Sequence, residues 1–196
     1  MIIKSYEVKN KLSSLDGNLF LLYGENLGLK KDIKNFIIEK ARKTFGDIEI
    51  TNLYETEIIS NEENFYNLIY SGSLFGDVKI ITIYEATDKI LKKLSDIYEK
   101  QPQNIFLVIF SEILEKKSKL RNFFEKNKDT ICIPCYLDSE KDLEIILQNE
   151  LRKDKILLSK EIINLVIQKS NSDRNNLKNE IEKIKSFALN KKNLNI

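Results

Sequence analysis

The chain has 196 residues, of which 42% are hydrophobic and 32% charged, a composition ordinary for a soluble protein that can bury a core. Its 32 basic and 30 acidic residues leave a formal charge of +2, which does not indicate a strongly basic nucleic-acid binder. The absence of histidine excludes Ser-His-Asp and Cys-His catalysis and histidine-ligated metals. No apolar run approaches the roughly 20 residues of a membrane helix, so we expect a cytoplasmic location and no membrane partner.

The stretch 19–31, LFLLYGENLGLKK, contains a short apolar run, a glycine turn and the start of an amphipathic segment. This order of strand, turn and helix is typical of phosphate-binding loops. A nucleotide-binding loop needs G-x-x-x-x-G-K-[ST], but Gly24 and Gly28 are one residue too close, and neither Ser nor Thr follows Lys30 and Lys31. We therefore predict a degenerate phosphate loop at Gly24, Gly28 and Lys30, with no nucleotide cofactor and no bound metal.

Short apolar runs bounded by turns predict strands at residues 19–23, 78–84, 105–110 and 130–134. Alternation of apolar and polar residues predicts another strand at residues 48–53. Helical spacing of apolar residues predicts helices between them, at residues 29–45, 61–70, 89–99 and 116–127. Alternation of strand and helix indicates an α/β domain with a parallel five-stranded sheet flanked by helices on both faces. Residues 1–15 fit either a short strand or an amphipathic helix.

Beyond residue 138 the strand pattern stops, and three amphipathic helices are predicted at residues 141–151, 159–169 and 173–189. Ser159 is a suitable N-cap residue, although Ile162 excludes a capping box after it. The last helix can be capped by either Ser172 or Asp173. The chain is therefore predicted to form an α/β domain over residues 1–137 and a small helical lid domain over residues 138–196.

Cys132 and Cys135 form a C-x-x-C within the apolar stretch TICIPCYL. A redox motif of this kind would open a helix, and two thiols cannot complete a four-ligand zinc site. We interpret both as core thiols at the end of a strand.

A parallel sheet with a degenerate phosphate loop and a helical lid is the layout of AAA+ modules. A working module also needs an Asp-Glu pair at the end of the strand that supplies the magnesium-linked acid. The strand at 105–110 is followed by Ser111 and Glu112, so the first acid is missing. Failure at both positions indicates an ATPase function that has been lost.

Four segments, in the same order along the chain, resemble the delta subunit of the bacterial DNA polymerase III clamp loader. They are LYGENLGLK (22–30), SLFGDVKIITI (73–83), EKKSKLRNFFEK (115–126) and NSDRNNLKNEIEKI (171–184). The resemblance implies an AAA+ fold without ATPase activity or cofactor, within the polymerase holoenzyme that replicates DNA. It implies three partners: the sliding clamp, the other clamp-loader subunits and primer-template DNA. It also implies a C-terminal collar domain, which we expect to be absent from this chain.

In that family an apolar wedge on the first domain opens the sliding clamp, and the wedge maps onto Leu74 and Phe75, with Ser73 beside them. Two large apolar side chains flanked by Gly72 and Gly76 can supply the binding energy of an interface hot spot. The alternative is that Leu74 and Phe75 only lead into the buried strand at 78–84.

The basic residues of the helix predicted at 116–127 are candidate DNA contacts, because a basic helix face can bind phosphates without reading sequence. They are Lys116, Lys117, Lys119 and Arg121. Such a run is also typical of a solvated helix face.

Two other functions stay open. A divergent P-loop ATPase or nucleotide kinase would use Gly24, Lys30 and Glu112, and a nucleic-acid-binding module would use the basic helix. Arg174 lies where AAA+ lids often carry a phosphate-sensing arginine, and with a degenerate loop we expect it to have a structural or surface role.

Overall fold

The computed structural model describes residues 2–3, 17–72 and 78–190. The strands in these ranges are β1 (Leu19–Tyr23), β2 (Ile48–Tyr54), β3 (Val78–Tyr84), β4 (Ile105–Ser111) and β5 (Thr130–Pro134). The α-helices are α1 (Leu27–Phe45), α2 (Glu55–Ser60), α3 (Glu62–Tyr70), α4 (Leu91–Lys100), α5 (Lys119–Lys126), α6 (Glu140–Lys153), α7 (Lys160–Lys169) and α8 (Arg174–Asn190). The chain divides into two compact units, Met1–Glu25 with Lys30–Cys135, and Asn26–Leu29 with Tyr136–Ile196.

The first unit contains a five-stranded sheet in the order β2-β3-β4-β1-β5, and every pairing between these strands is parallel. The predicted parallel sheet is confirmed. The bounds of β1, β3 and β5 are those predicted, whereas β2 and β4 each extend one residue further. Apolar runs identify the buried strands because a parallel sheet is covered on both faces, whereas β2, at the edge of the sheet, alternates and is only partly buried.

Apolar side chains pack against both faces of the sheet. On one face, Leu21 and Ile109 belong to a buried cluster that includes Phe124 of α5. On the other face, the ring of Phe45 at the end of α1 lies 6.0 Å from that of Phe106 in β4. The sheet is therefore flanked by helices on both faces, as the alternating pattern predicted.

Three helix predictions are corrected. The first helix begins at Leu27 rather than residue 29, and the six-residue helix α2 was not predicted. The helix predicted at 116–127 covers only Lys119–Lys126, because the Ser118 side chain caps it by accepting from the backbone N–H of Arg121. Apart from residues 2–3, the ambiguous segment 1–15 lies outside the described residues.

The three helices of the second unit share an apolar core. Its buried residues are Leu143, Leu147, Leu151, Ile163, Val166, Ile167, Leu177 and Ile181. Ser159 caps α7 by accepting from the N–H of Ile162 at 3.4 Å, and Asp173 accepts from the N–H of Asn176 at 2.8 Å. The cap at Ser159 is confirmed, and of the two residues predicted for α8 the structure selects Asp173. Each cap side chain satisfies an orphan N–H of the first turn.

Candidate functional site

The loop between β1 and α1 is shorter than predicted. It contains only Gly24, Glu25 and Asn26, because Gly28 is the second residue of α1. The side chain of Asn26 accepts a hydrogen bond from the backbone N–H of Leu29 at 2.9 Å, which is the geometry of an N-cap. The prediction of a glycine loop spanning 24–28 is therefore wrong, since the Asn26 cap allows the helix to start before Gly28.

Gly24 is held close to neighbouring backbone. Its φ is +123°, and a Cβ there would lie 2.3 Å from the carbonyl oxygen of Cys135. Its N–H points to the carbonyl oxygens of Ser111 and Glu112, at 3.3 and 3.1 Å. A phosphate-binding loop needs free backbone N–H groups, and that of Gly24 is used inside the protein.

Lys30 does not present its ammonium group to solvent. Its residue is 3% exposed, and Nζ donates to the carbonyl oxygen of Ser111 at 3.0 Å, beneath the ring of Phe110. Burial lowers the pKa of Lys30, although the nearby charge of Glu112 opposes this shift. A lysine that contacts nucleotide phosphates has to reach them, and this one binds the end of β4 instead.

Arg174, at the start of α8, pairs with Asp138. Its Nε donates to Asp138 Oδ2 at 2.7 Å, and Nη2 donates to Oδ1 of the same carboxylate. The Asn26 amide also donates to Asp138 Oδ2, at 2.8 Å. Only 12% of the Arg174 side chain and 6% of the Asp138 side chain are exposed. The arginine at the phosphate-sensing position thus already binds a carboxylate, in the bidentate geometry that it would use for a phosphate.

Gly28 lies against this pair. A Cβ at Gly28 would approach Cβ of Arg174 to 2.8 Å. The glycine therefore accommodates the arginine, which a side chain at position 28 would displace.

Two strands, β4 and β3, lie on the same side of β1, and their carboxyl ends are where a magnesium-linked acid would be expected. β4 pairs with β1 and ends at Ser111, while β3 lies one strand further away and ends at Tyr84. The residues that follow are Glu112 and Glu85, so neither strand ends in an Asp-Glu pair. The prediction considered only β4, and the topology adds β3 as a second strand that could have carried the magnesium-linked acid.

An aromatic cluster occupies the carboxyl end of β3. The Tyr84 ring lies 5.0 Å from that of Phe110 and 5.6 Å from that of Tyr54. Lys34 Nζ donates to the Tyr84 hydroxyl at 2.9 Å. Sequence reasoning missed this cluster, although a tyrosine ends both β2 and β3 in the sequence and was the available signal.

The four basic DNA-contact candidates have different surroundings. Lys116 and Lys119 are exposed, and the exposed amine of Lys117 pairs with Glu115 at 2.8 Å. Arg121 is only 17% exposed; it donates to Glu125 at 2.7 Å and to the Leu114 carbonyl at 3.0 Å. Lys116 and Lys117 precede α5, so the four do not form a single helix face.

Cys132 and Cys135 are both buried and not disulfide-bonded. Burial raises the pKa of the Cys132 thiol to about 12. A thiol that stays protonated is a poor nucleophile and metal ligand, which supports the interpretation of core thiols. Within the described residues, no group of three or more His, Cys, Asp or Glu side chains is arranged to hold a metal ion.

The predicted clamp-binding residues Ser73, Leu74 and Phe75 lie outside the described residues. The chain is described up to Gly72 and again from Val78 onwards. Where the wedge residues lie is therefore still a prediction. No helix in the described ranges is long and apolar enough to cross a membrane.

No protein-family model matches the sequence, and a search of curated proteins finds no match. Solved structures do match. The Bacillus subtilis DNA clamp loader delta protein YqeN aligns with a TM-score of 0.56 and 14% identity, over 93% of this chain and 57% of its own. Domain III of the Thermotoga maritima replication initiation protein DnaA aligns with a TM-score of 0.53 and 14% identity, over 95% of this chain and 83% of its own. The Thermotoga maritima RuvB Holliday junction branch migration motor aligns with a TM-score of 0.55 and 15% identity, over 94% of this chain and 62% of its own.

The chain has an AAA+-like fold. At these identities the likeness concerns the fold alone. The chain spans 57% of the length of the clamp loader delta protein that it matches.

An AAA+-like fold implies a bound Mg-nucleotide, and the residues present do not fit one. The loop has three residues, Gly24 donates its N–H to carbonyl groups, Lys30 binds Ser111, and Arg174 binds Asp138. The groups that would receive a phosphate are satisfied by the protein itself. We derive no chemical step through a nucleotide.

Proposed function

We propose that this chain is a clamp-loader subunit that binds and opens the DNA polymerase sliding clamp during DNA replication, without hydrolysing ATP itself. The observation that carries the proposal is the internal use of the nucleotide-binding groups, above all the bonds of Lys30 to Ser111 and of Arg174 to Asp138. This internal use supports a protein that keeps the architecture and acts by binding. The presence of a clamp loader delta protein among the matching structures favours the clamp as the partner.

Leu74 and Phe75, with Ser73 beside them, are the proposed clamp-binding residues. Each large apolar side chain that moves from water into a partner's pocket contributes about 1.5–3 kcal/mol. Two adjacent ones can thus stabilise a strained, open ring interface with binding energy alone. ATP hydrolysis would take place in partner subunits.

The remaining assignments follow from the same proposal. Residues 1–137 would form the AAA+-like domain and residues 138–196 the lid, with the other loader subunits and primer-template DNA as further partners in the cytoplasm. Lys116, Lys117 and Lys119 keep the exposure that a phosphate contact needs. Arg121 would act by holding its own helix rather than by touching DNA, since it bonds to Glu125 and Leu114.

The test measures the affinity of the full chain for its cognate sliding clamp, for example by biolayer interferometry. Three proteins are compared: the parent, Leu74→Ala/Phe75→Ala, and a control with the same two residue types changed elsewhere, Leu157→Ala/Phe187→Ala. Leu157 is 80% exposed and Phe187 47% exposed, in the second unit. The wedge variant is expected to lose about 2 kcal/mol or more of binding free energy, and the control much less.

Equal affinities of the wedge variant and the parent would move the contact to another surface. Absence of binding by a folded parent would overturn the proposal. Mg-ATP is expected to leave the unfolding midpoint of the parent unchanged, because a ligand stabilises only a fold that binds it. A clear upward shift would favour the ATPase alternative.

A further inference from the structure

β2 forms an open edge of the sheet. It lies outermost in the strand order, and its pairing with β3 runs without interruption over Ile48–Tyr54. The opposite edge, at β5, is partly covered, because the backbone N–H of Ile3 donates to the carbonyl oxygen of Cys132 at 3.0 Å. No strand in the described part of the chain covers the outer side of β2.

The N–H of Tyr54 shows which β2 residues direct their backbone outwards. It donates to the carboxylate of Glu57 at 2.6 Å, so it faces away from β3. Successive residues of a strand direct their backbone groups to opposite sides, so Ile48, Ile50 and Asn52 have the same outward orientation. Within the described residues, Glu57 uses the N–H of Tyr54, which leaves the N–H groups of the other three, and the carbonyl groups of all four, for a further strand.

Large apolar side chains are exposed along the same edge. Ile50 and Tyr54 are 38% and 48% exposed, and Phe45 and Ile59, just before and after β2, are 37% and 42% exposed. Natural edge strands are usually protected by lysine, proline or a bulge. The sequence of β2, IEITNLY, contains neither lysine nor proline, and its register with β3 shows no bulge. This edge is therefore suited to pairing with another strand.

The elements on either side of β2 carry opposite charge. α1, which ends before β2, has six basic and two acidic residues, a net charge of +4. α2 and α3, which follow β2, have four glutamates and no basic residue, a net charge of −4. Arg42 and Lys43 in the last turn of α1 are exposed, as is Glu57 in the first turn of α2. The charge thus changes sign from the amino end of β2 to its carboxyl end.

This charge distribution is complementary to that of a second copy, in one orientation. If two β2 strands run antiparallel about a two-fold axis, the basic end of each lies beside the acidic end of the other. Parallel pairing would place like charges together, and an unrelated peptide would need a matching charge pattern of its own. The charges therefore favour a second copy of this chain as the partner, in antiparallel orientation.

Full overlap of the two strands places the axis beside Thr51, the central residue of β2. All three outward N–H groups then find a carbonyl partner, because Ile48 lies opposite the partner's Tyr54 and the residues between follow in register. Glu49 faces the partner's Leu53, so no like charges lie directly opposite each other. Thr51 faces the partner's Thr51 in a non-hydrogen-bonded pair, the kind in which side chains are closest.

We propose that the outer edge of β2 is a dimer interface, in which β2 pairs antiparallel with β2 of a second copy and the two sheets join into one of ten strands. The inference does not depend on the proposed clamp binding. Each copy offers one such edge, so the two-fold contact closes at a dimer and does not continue into a fibre. One strand pair is a small interface, so the dissociation constant is expected to be on the order of 10 μM.

Sedimentation velocity of the full chain between about 1 and 200 μM tests for the dimer, and the parent is expected to convert from monomer to dimer over this range. Ile50→Lys places a positive charge on the edge and should weaken the dimer about tenfold or more, as lysine does on natural edge strands. The control Ile145→Lys makes the same change at a residue of the helical unit that is 49% exposed, and it should leave the dimer unchanged. Raising the salt concentration from about 50 to 500 mM should weaken the dimer, because salt screens the attraction between its ends.

Disulfide cross-linking tests the register. Both native cysteines are buried, so a single introduced cysteine reports the contact alone. Thr51→Cys should cross-link two copies on mild oxidation, since a non-hydrogen-bonded pair brings the two Cβ atoms near to disulfide distance. Asn52→Cys is the matched control, because Asn52 lies opposite the partner's Ile50 in the proposed register.

A parent that stays monomeric at about 200 μM overturns the inference. A dimer that Ile50→Lys and Ile145→Lys affect equally also overturns it, and so does a dimer that tightens as salt is added. Cross-linking of Asn52→Cys as efficient as that of Thr51→Cys contradicts the proposed pairing. None of these outcomes bears on the clamp-binding proposal, which the clamp affinities test separately.

Discussion

Arg174→Ala is predicted to destabilise the helical unit without changing the response of the protein to nucleotide. In the structure this arginine binds Asp138 through two N–H donors, and both side chains are largely buried. Removing the arginine leaves a buried carboxylate whose charge has lost its partner. If Arg174 served as a phosphate sensor, its removal would instead change the affinity for ATP.

The size of the effect follows from the burial. Breaking a buried ion pair by removing one partner costs about 3–5 kcal/mol. The Asn26 amide still donates to Asp138 at 2.8 Å in the variant, so we expect the lower end, about 3 kcal/mol. Asp138→Ala should cost a similar amount. The double variant buries neither charge, so its cost should fall short of the sum of the two by about 2 kcal/mol.

The measurement is a double-mutant cycle by urea unfolding, followed by far-ultraviolet circular dichroism, with and without Mg-ATP. Lys183→Ala is the control in the same helix, because its side chain is 67% exposed and its ammonium group pairs with Glu180 at 2.8 Å. Exposed pairs of this kind contribute about 0.3–0.5 kcal/mol. Additive costs for Asp138→Ala and Arg174→Ala would refute the buried pair. A urea-unfolding midpoint that rises with Mg-ATP in the parent but not in Arg174→Ala would refute the structural role, because it would show that Arg174 responds to nucleotide.

Two further predictions concern single contacts of the α/β unit. Burial alone would raise the pKa of Asp88, but three hydrogen bonds from the start of α5 outweigh it and lower the pKa below 3.8. The stability that Asp88 contributes is therefore complete above pH 3.8 and is lost as the pH falls through the lower folded value. Asp88→Asn should weaken the acid dependence of unfolding, measured by urea unfolding at several pH values. An acid profile identical to that of the parent would contradict this. Gly24→Ala should lower the free energy of unfolding by about 3 kcal/mol or more, because its Cβ would meet the Cys135 carbonyl. The control Gly46→Ala, at φ +81° in open space, should lower it by only about 1 kcal/mol. Equal costs would refute the close approach at Gly24.

The sheet could be predicted from sequence because its signal is local. β2 alternates apolar and polar residues, the other four strands are mainly apolar runs, and three of the five have the predicted bounds. The α/β alternation then indicates parallel pairing, since successive strands are separated by helices. The caps at Ser159 and Asp173 were predictable for the same reason, because a cap is a contact between residues three apart.

The degenerate phosphate loop was predicted at the correct place but with the wrong length. The spacing of Gly24 and Gly28 showed that the nucleotide motif was broken, without showing that Asn26 would cap a helix running through Gly28. The short helix α2 was missed because six residues are too few for a periodic pattern, and Glu55 within it is fixed by hydrogen bonds to Thr87.

The sequence by itself determined the fold class, the failure of the nucleotide motif and the exclusion of histidine chemistry, because these depend on residue type and short-range spacing. Only the tertiary structure decided which partners Lys30 and Arg174 bind. Lys30 meets Ser111 across 81 positions, and Arg174 meets Asp138 across 36. Such partners are chosen by the packing of strands and helices that are distant in sequence, and each buried charge must find the acceptor that this packing provides.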